Sequence, residues 1–434
     1  MGNDSVAEAC GGCFHEPAPT ENPTVVTDHR MIFSISKDQS TLYDQIEYSG
    51  KPGSFAWVLP FAGDIEVGVS SDELFQVLDA QTQTTIIGPP TGCAGPPYCG
   101  SSGGPGFSSS SSGAVSGGGV TVLHNEVVGP YETVQLKATD AGALEKWLGD
   151  HNYVLQDAVK PIIAAYQSES FNFLAVKLVP GQGVRSMKPI RVTTKGANVA
   201  LPLRMVAAGT GATVGITLWV VAEGRYEPSS FGVFSIEADD LTWDFLKASS
   251  DYTQLRASRT AAGHGKVWEI ESSTKLLKPI VLAQMQGVSS TQAYDAEKND
   301  AGVVTRTPDL ALTHDLEVLF AGIGADQVTR LRADLSHDAL DRDLTLQASA
   351  SQAELPRVRQ VTRAMNAPVC PSYPPCSSSG STSSSSGDAA HGSNDSGSDD
   401  DGCRTSRASS NVPWLGATLA IGLLALSKRR RKKQ

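Results

Sequence analysis

Residues 30–61 read RMIFSISKDQSTLYDQIEYSGKPGSFAWVLPF, and this stretch decides the fold class. Apolar and polar residues alternate along it, so that Leu42, Ile46 and Tyr48 fall on one face of an extended chain. Lys51-Pro52-Gly53 predicts a turn before the last apolar run. The stretch therefore predicts three short strands, over residues 30–37, 41–49 and 54–61.

Helix signals follow these strands. Ser70-Ser71-Asp72-Glu73 is a capping-box pattern, and it predicts a helix with Leu74, Phe75 and Leu78 on one side. Thr139 predicts the start of another helix. Further helices are predicted over residues 155–167, perturbed by Pro161, and 310–320. More strands are predicted at 120–128, 131–138, 171–179, 190–194, 200–207, 213–221, 232–237, 329–335 and 343–348.

Many strands with a few segregated helices predict a strand-rich α+β fold of antiparallel sheets and packed helices. Residues 101–119 are almost all Ser and Gly, and residues 377–402 are Ser, Gly, Asp and Asn, which indicates two disordered linkers. We expect these regions: 1–9, residual signal or cleavage region; 10–100, N-terminal strand-rich part; 101–119, Ser/Gly linker; 120–350, main α+β domain; 351–376, Pro/Cys segment; 377–411, acidic stalk; 412–434, hydrophobic helix and basic stop.

The C-terminal region predicts a membrane segment. The apolar run from Val412 to Leu426 has 15 residues and carries Trp414 near its outer end. As a helix it spans about 22 Å, short of the ~30 Å hydrocarbon core, which local thinning and snorkelling of cations can match. The basic stop that follows favours the cytoplasmic side, and it consists of Lys428, Arg429, Arg430, Arg431, Lys432 and Lys433.

This arrangement resembles the MYXO-CTERM sorting tail of myxobacterial surface proteins, over about residues 399–433. The resemblance implies that Gly402-Cys403 marks a processing site for a sorting protease and that Cys403 carries a lipid. The alternative is a permanent anchor formed by the same segment. A buried core helix is disfavoured, because the run follows a Ser/Gly/Asp tract and ends in six cations.

The charge distribution bears on the partner. The net charge is −11, but eight cations and no acid lie beyond Cys403, which leaves residues 1–403 at −19. Binding to a nucleic acid backbone needs a basic surface, so we exclude nucleic acid as a partner. The charge fits an exposed, exported domain, for which the sequence identifies no protein or glycan partner.

The seven cysteines suggest an oxidising compartment with up to three disulfides. Six of them stand in close pairs and only Cys403 stands alone; the disulfide candidates are Cys10, Cys13, Cys93, Cys99, Cys370 and Cys376. Their connectivity stays open. Ala7-Glu8-Ala9 resembles a signal cleavage box, so we expect the apolar part of a signal upstream of Met1; the alternative is a true start at Met1.

Three segments belong together: Ala9-Cys10-Gly11-Gly12-Cys13-Phe14, GSFAWVLPFAGDIEVGVSSDELFQVLDA at 53–80, and LEKWLGDHNYVLQDAVKPIIAAYQSESFNFLAVKL at 144–178. They resemble a bacterial envelope family known only as domain-of-unknown-function family 2330, over about residues 9–350. The resemblance implies an exported protein that starts just after a signal peptide. It implies no activity, so no functional residue is transferred.

Candidate sites for chemistry have simpler explanations. Cys10-x-x-Cys13-x-His15 could be half a metal or redox site, but no second ligand pair completes it, and a disulfide is favoured. Residues 209–215 (GTGATVG) lack the ending of a phosphate loop and predict a turn.

His314-Asp315 is interpreted as a helix-start cap. Residues 395–401 could bind calcium, although a solvated acidic linker is favoured. The tryptophans predict core positions rather than a carbohydrate platform.

We therefore expect a surface-displayed, non-enzymatic binding or structural protein, without catalytic, cofactor-binding or metal residues. It should lie in the envelope or on the surface of a Gram-negative, myxobacteria-like cell, membrane-anchored through its tail. One alternative is an envelope hydrolase with a dispersed active site, since a triad of residues from distant segments is recognised by geometry. The other is a metal-binding or redox protein that uses the N-terminal cysteines.

Overall fold

The computed structural model describes residues 13–15, 25–49, 55–90, 126–137, 142–151, 153, 155, 157, 159–179, 187–207, 210–287, 293–298, 303–324 and 327–369. Its strands are β1 Cys13–His15, β2 Val25–Ile35, β3 Gln39–Ser49, β4 Phe55–Phe61, β5 Ile65–Val69, β6 Thr85–Ile87, β7 Glu126–Val128, β8 Tyr131–Leu136, β9 Asn172–Leu178, β10 Ile190–Lys195, β11 Ala200–Leu201, β12 Thr210–Ala222, β13 Tyr226–Pro228, β14 Gly232–Phe234, β15 Thr242–Asp244, β16 Ser249–Ser250, β17 Val267–Lys275, β18 Glu297–Lys298, β19 Val304–Arg306, β20 Gln327–Ser336, β21 Leu344–Ala348, β22 Val358–Gln360 and β23 Arg363–Met365. Its α-helices are α1 Asp72–Thr82, α2 Ala143–Asp150, α3 Lys160–Ser168, α4 Leu203–Val206, α5 Tyr252–Ala262, α6 Lys278–Gly287 and α7 Pro308–Leu319.

Two large sheets organise the described residues. The eight-stranded sheet has the order β14-β17-β20-β12-β2-β3-β10-β5, and the five-stranded sheet has the order β1-β4-β9-β8-β7. The pairs β12–β2 and β14–β17 are parallel, and the other pairs in these two sheets are antiparallel. The predicted strand-rich α+β fold is confirmed.

The sheets and helices form four layers. The inner faces of the two sheets pack on each other through one apolar cluster, which includes Phe33, Leu59 and Leu174. Helices α1, α6 and α7 cover the outer face of the eight-stranded sheet. Helices α2 and α3 cover the outer face of the five-stranded sheet. Both faces of the central strands are therefore buried, which explains their nearly continuous apolar runs.

Several predicted elements are confirmed, beginning with the helix after the first strands. Helix α1 is present as predicted, but its N-cap is Ser71 instead of the Ser70 that a capping box with Glu73 would use, and the Ser71 hydroxyl accepts a hydrogen bond from the Glu73 backbone N–H at 3.2 Å. Strands β7 and β8 lie within the strands predicted at 120–128 and 131–138, and they form a hairpin that turns at Gly129-Pro130. Buried Trp57, Trp219 and Trp268 belong to the core, as their apolar contexts predicted.

Other predictions are wrong, and proline accounts for two of them. Residues 200–207 do not form one strand, because β11 ends at Leu201, and Pro202, which has no N–H to donate to a ladder, precedes α4. The helix predicted from residue 155 begins at Lys160, with Pro161 in its first turn, where the missing N–H has no intrahelical partner to lose. Residues 210–215 belong to the long strand β12 rather than to a turn.

Strands on both sides of the Ser/Gly tract share the same sheets. In the eight-stranded sheet β2 pairs with β12, and in the five-stranded sheet β4 pairs with β9. The segment after β21 then returns along the fold: β22 pairs in parallel with β6, and β23 with β15. The first part of the chain therefore completes its sheets only with strands from the later part.

Within the described ranges, no helix is both long and apolar enough to cross a bilayer. The predicted membrane segment at residues 412–426 lies outside those ranges.

Candidate functional site

A cleft of about 310 Å³ opens between the two sheets. Its walls are apolar and come from both sheets, chiefly Phe33 and Leu42 on one side and Leu59 and Phe61 on the other. Polar residues lie at the mouth, among them Lys195 at the end of β10 and Asn198 in the turn that follows it. A volume of this size, apolar inside and polar at the rim, suits a small organic molecule.

One side of the mouth is held by Ser40, which is buried. Its hydroxyl donates to the backbone carbonyls of Gly196 (2.9 Å) and Asn198 (3.1 Å) and accepts from the Asn198 N–H at 2.7 Å. Gly196 has φ +81°, a left-handed conformation that favours glycine at this turn. The turn is thus fixed in place by the protein itself, and the mouth is preformed.

The other side of the mouth is closed by a charge network around Asp343. This carboxylate accepts hydrogen bonds from the Tyr166 hydroxyl at 2.5 Å and from Arg204 Nη2 at 2.8 Å. Arg204 also donates to Glu169 and lies 4.2 Å from the Tyr166 ring centroid. Burial, and after it the Asp343 charge, raise the pKa of Tyr166, so this phenol stays a donor. The network fixes the wall and leaves Asp343 neutralised.

Lys195 differs from Asp343, because its side chain is exposed and has no ion pair within the described ranges. It is therefore the unpaired charge at the mouth.

A second, smaller cavity of about 20 Å³ adjoins the cleft. The two spaces share the apolar wall residues Leu42, Leu59, Leu201 and Pro202. The polar wall of the small cavity consists of His29 and Asp44, and its other lining side chains are apolar. The wall of the small cavity therefore carries one polar pair among apolar side chains.

His29 and Asp44 form this pair within the inter-sheet core. The Nδ1 atom of His29 lies 3.3 Å from Asp44 Oδ1, and the two residues are 1% and 5% exposed. The other ring nitrogen, Nε2, is buried and has no hydrogen-bond partner in the described part of the chain. Leaving such a group unsatisfied costs about 1–3 kcal/mol, so its position calls for a physical reason.

A different buried cluster pins helix α7 to the eight-stranded sheet. Asp315 accepts hydrogen bonds from Arg191 Nη1 at 2.6 Å, Ser70 Oγ at 2.5 Å and Tyr294 Oη at 2.8 Å. Burial, followed by the Asp315 charge, raises the pKa of Tyr294 and of Tyr43 well above the usual range. The carboxylate is saturated by these donors, which indicates a structural role.

The capping interpretation of His314-Asp315 is therefore wrong. Helix α7 begins at Pro308, so both residues lie in its interior. Asp315 faces the sheet and pairs with Arg191 instead of a helix N-terminus.

Two buried glutamates form a third cluster on β17. The Tyr252 hydroxyl donates to Glu269 Oε1 at 2.9 Å and to Glu271 Oε1 at 3.2 Å. Arg256 donates to Glu269 at 3.0 Å, and Arg330 donates to Glu271. Burial is the main cause that raises the pKa of Glu269, and the neighbouring Glu271 charge raises it further. Both carboxylates form ion pairs with arginines, which indicates a structural role for this cluster as well.

Few of the predicted site residues lie within the ranges that the structure describes. Cys13 and His15 lie in β1, opposite Trp57 and Phe55 of β4. Outside the described ranges lie the other disulfide candidates, the processing site and the tail: Cys10, Cys93, Cys99, Cys370, Cys376, Gly402, Cys403, Val412, Trp414, Leu426 and the basic stop. Among described residues no group of three potential ligands could hold a metal ion.

His29 and Asp44 were not among the residues predicted from the sequence, although a signal for them was present. The alternation that puts Met31 and Phe33 on the inner face of β2 puts His29 there too. In β3, Asp44 follows Leu42 by two residues and shares its face. Ionisable residues are rarely buried, so two of them at inward positions of neighbouring apolar strands are unusual. A contact between His29 and Asp44 could therefore have been proposed from the sequence.

Comparison with known proteins places the chain in a family. The model of the family described as "Uncharacterized protein conserved in bacteria", domain of unknown function 2330, matches residues 5–345. The chain belongs to this family. The matched residues include all strands of the two large sheets and all residues that line the inter-sheet cleft. No curated protein matches the chain.

Among solved structures, the chain is similar to baculovirus P35, with 12% identity, a TM-score of 0.26, and coverage of 47% of this chain and 66% of that one. A mutated baculovirus P35 after caspase cleavage gives 12% identity, a TM-score of 0.25, and coverage of 48% and 70%. These similarities are too weak to carry an argument about fold or function.

Proposed function

We propose that this member of family 2330 is an exported, surface-displayed binding protein of the bacterial envelope, without enzymatic activity, that holds a small and largely apolar ligand between its two sheets. The observation that carries the proposal is the preformed cleft of about 310 Å³, with apolar walls and a polar mouth. Ligand sites of proteins typically combine such walls with a few fixed polar groups.

The mouth supports binding because its parts do not need to rearrange. Ser40 holds the turn at Gly196 and Asn198, and Arg204 holds Asp343. A preformed site loses less conformational entropy when a ligand enters. The exposed cation of Lys195 gives the mouth a preference for neutral or anionic head groups.

The display part of the proposal rests on the sequence of the tail. An acidic Ser/Gly tract, Gly402-Cys403, the apolar run 412–426 and a basic end follow one another in the order of a sorting tail. The acidic stalk would hold the folded part away from the membrane, where its cleft meets solutes.

The envelope hydrolase is the weaker candidate. The His29–Asp44 pair resembles two members of a catalytic triad, but a triad also needs a nucleophile within hydrogen-bond reach of the histidine. No described hydroxyl or thiol hydrogen-bonds to His29 Nε2. The metal or redox alternative is tested by a thiol count on the exported protein, which should find its first six cysteines blocked.

Binding is tested with an apolar fluorescent dye, 1-anilinonaphthalene-8-sulfonate, and the full chain. Ala197 lines the mouth and is exposed, so Ala197→Trp should plug the cleft without disturbing the core. Ala261→Trp, on the exposed surface of α5, is the matched control. We expect saturable dye binding by the wild type and the control, and at least about tenfold weaker binding by Ala197→Trp.

Circular dichroism spectra of the two variants should match the wild type, so that the comparison reports on the cleft alone. Equal dye affinity in all three proteins would place the dye elsewhere and contradict the proposal. Absence of saturable binding by the wild type would also count against it.

A further inference from the structure

We propose that the small cavity at His29 is the recognition site for a hydroxyl group at the buried end of the ligand, and that the ligand is an apolar molecule ending in a single alcohol. This inference rests on the proposed binding function and specifies its ligand class. It starts from the one polar pair in the wall of a cavity that is otherwise apolar.

The first step is the protonation pattern of the imidazole. The Asp44 carboxylate is an acceptor, so the Nδ1 atom that faces it at 3.3 Å carries the hydrogen. In a neutral imidazole with a protonated Nδ1, Nε2 has a lone pair and accepts a hydrogen bond. The proposal takes the ring in this neutral form, and it therefore assigns a hydrogen-bond donor to Nε2.

The second step is the size of the space. A cavity of about 20 Å³ has room for one group the size of a hydroxyl or a water molecule. It has no room for a carboxylate, a phosphate or a ring. Of the small donors that an apolar molecule can carry, an alcohol needs no compensating charge in this apolar surrounding, whereas an ammonium group does.

The third step is the connection to the cleft. The cavity and the cleft are adjacent, because Leu42, Leu59, Leu201 and Pro202 line both of them, and the proposed pose places the body of the ligand in the cleft and its end at His29. The shared residues are all apolar, and they favour an aliphatic body between the hydroxyl and the mouth. A ligand in this pose has its hydroxyl at His29 and its other end near Lys195.

The inference is tested on the full-length wild-type protein with three probes of similar shape: 1-octanol, octyl methyl ether and n-nonane. All three have an apolar body, but 1-octanol alone donates a hydrogen bond. Competition against the fluorescent dye should give an affinity for 1-octanol that is about tenfold higher than for the other two. Equal affinity of the three probes would overturn the alcohol assignment and leave the proposed cleft standing.

Failure of all three probes to compete would instead count against the proposed binding function itself. A second measurement needs no ligand: nitrogen-15 NMR of the histidine rings should show one buried ring with protonated Nδ1 and bare Nε2. The assignment comes from His29→Gln, which removes this signal. A ring protonated at Nε2 would overturn the inference.

His29→Gln can also be combined with the probes. Glutamine fills less of the wall and lacks the fixed imidazole, so the preference for 1-octanol over octyl methyl ether should fall to about one. Leu203→Met, at an apolar position in the same wall, is the matched variant and should keep the preference. Retention of the full preference by His29→Gln would contradict a role of His29 in recognition.

Discussion

The guanidinium Nη1 of Arg191 lies 2.6 Å from Oδ1 of Asp315, although 124 residues separate them in the chain and both side chains are buried. Arg191 lies in β10, near the edge of the eight-stranded sheet, and Asp315 lies in the interior of α7. The pair therefore joins the helical layer to the sheet.

Asp315→Asn should lower the free energy of unfolding by about 3–5 kcal/mol, because it leaves the Arg191 charge buried without its counter-ion. Urea denaturation measures the change. The matched control is Asp150→Asn, which breaks the exposed pair with Lys146 and should change stability by less than about 0.5 kcal/mol. Similar effects of the two substitutions would show that the buried pair contributes little.

Glu269 should make stability depend on pH. Its pKa is raised in the folded state, so its contribution is fully present below the ordinary glutamate pKa and is lost as pH rises through the raised value. Glu269→Gln removes this titration. The stability of Glu269→Gln relative to the wild type should therefore increase with pH across that window and then level off.

Urea denaturation at a series of pH values checks this difference. Glu354→Gln, which removes one exposed carboxylate, is the control for a change of net charge. If the profile of Glu269→Gln ran parallel to that of the control, the assignment of the raised pKa to Glu269 would be wrong.

Ser71→Ala should destabilise the protein by about 1 kcal/mol, because the Glu73 N–H at the start of α1 loses its hydroxyl acceptor. The expected result is a lower urea midpoint with an unchanged slope. Ser249→Ala, at an exposed position of β16, should leave the midpoint where it is. An unchanged midpoint for Ser71→Ala would exclude the cap as a source of stability.

The protein from its native envelope should end at or near Cys403 and carry a lipid there. Processing at Gly402-Cys403 would remove eight cations and change the net charge from −11 to −19. Mass spectrometry of the mature protein measures the end point, and Cys403→Ala should retain the basic stop. A wild-type protein that keeps residues 428–433 would support a permanent anchor instead.

Much of the local structure could be predicted from the sequence. Strands β2, β3 and β4 follow from the alternation in residues 30–61, and helix α1 follows from the pattern at residues 70–73. Residue types alone gave wrong predictions where the effect of a residue depends on its place in the folded structure. Pro161 starts a helix instead of perturbing one, and Asp315 pairs across layers instead of capping. Helices α5 and α6 and strand β17 were not predicted, and the buried glutamates of β17 give the sequence of that strand a polar appearance.

The candidate site could also be predicted from the sequence only in part. The inward positions of His29 and Asp44 follow from strand periodicity, but their pairing requires the register between β2 and β3. The cleft requires more, because its walls come from two sheets whose strands are far apart in the chain.

The sequence by itself determined the strand-rich α+β class, the first helix and the acidic charge, and it predicts the sorting tail, because each depends on neighbouring residues or on composition. Only the tertiary structure decided the four-layer arrangement, the Arg191–Asp315 pair, the inter-sheet cleft and the adjacent small cavity that His29 lines. These features arise from contacts between distant segments, and their energies come from burial and from charges brought together by folding. No local pattern along the chain encodes such distances.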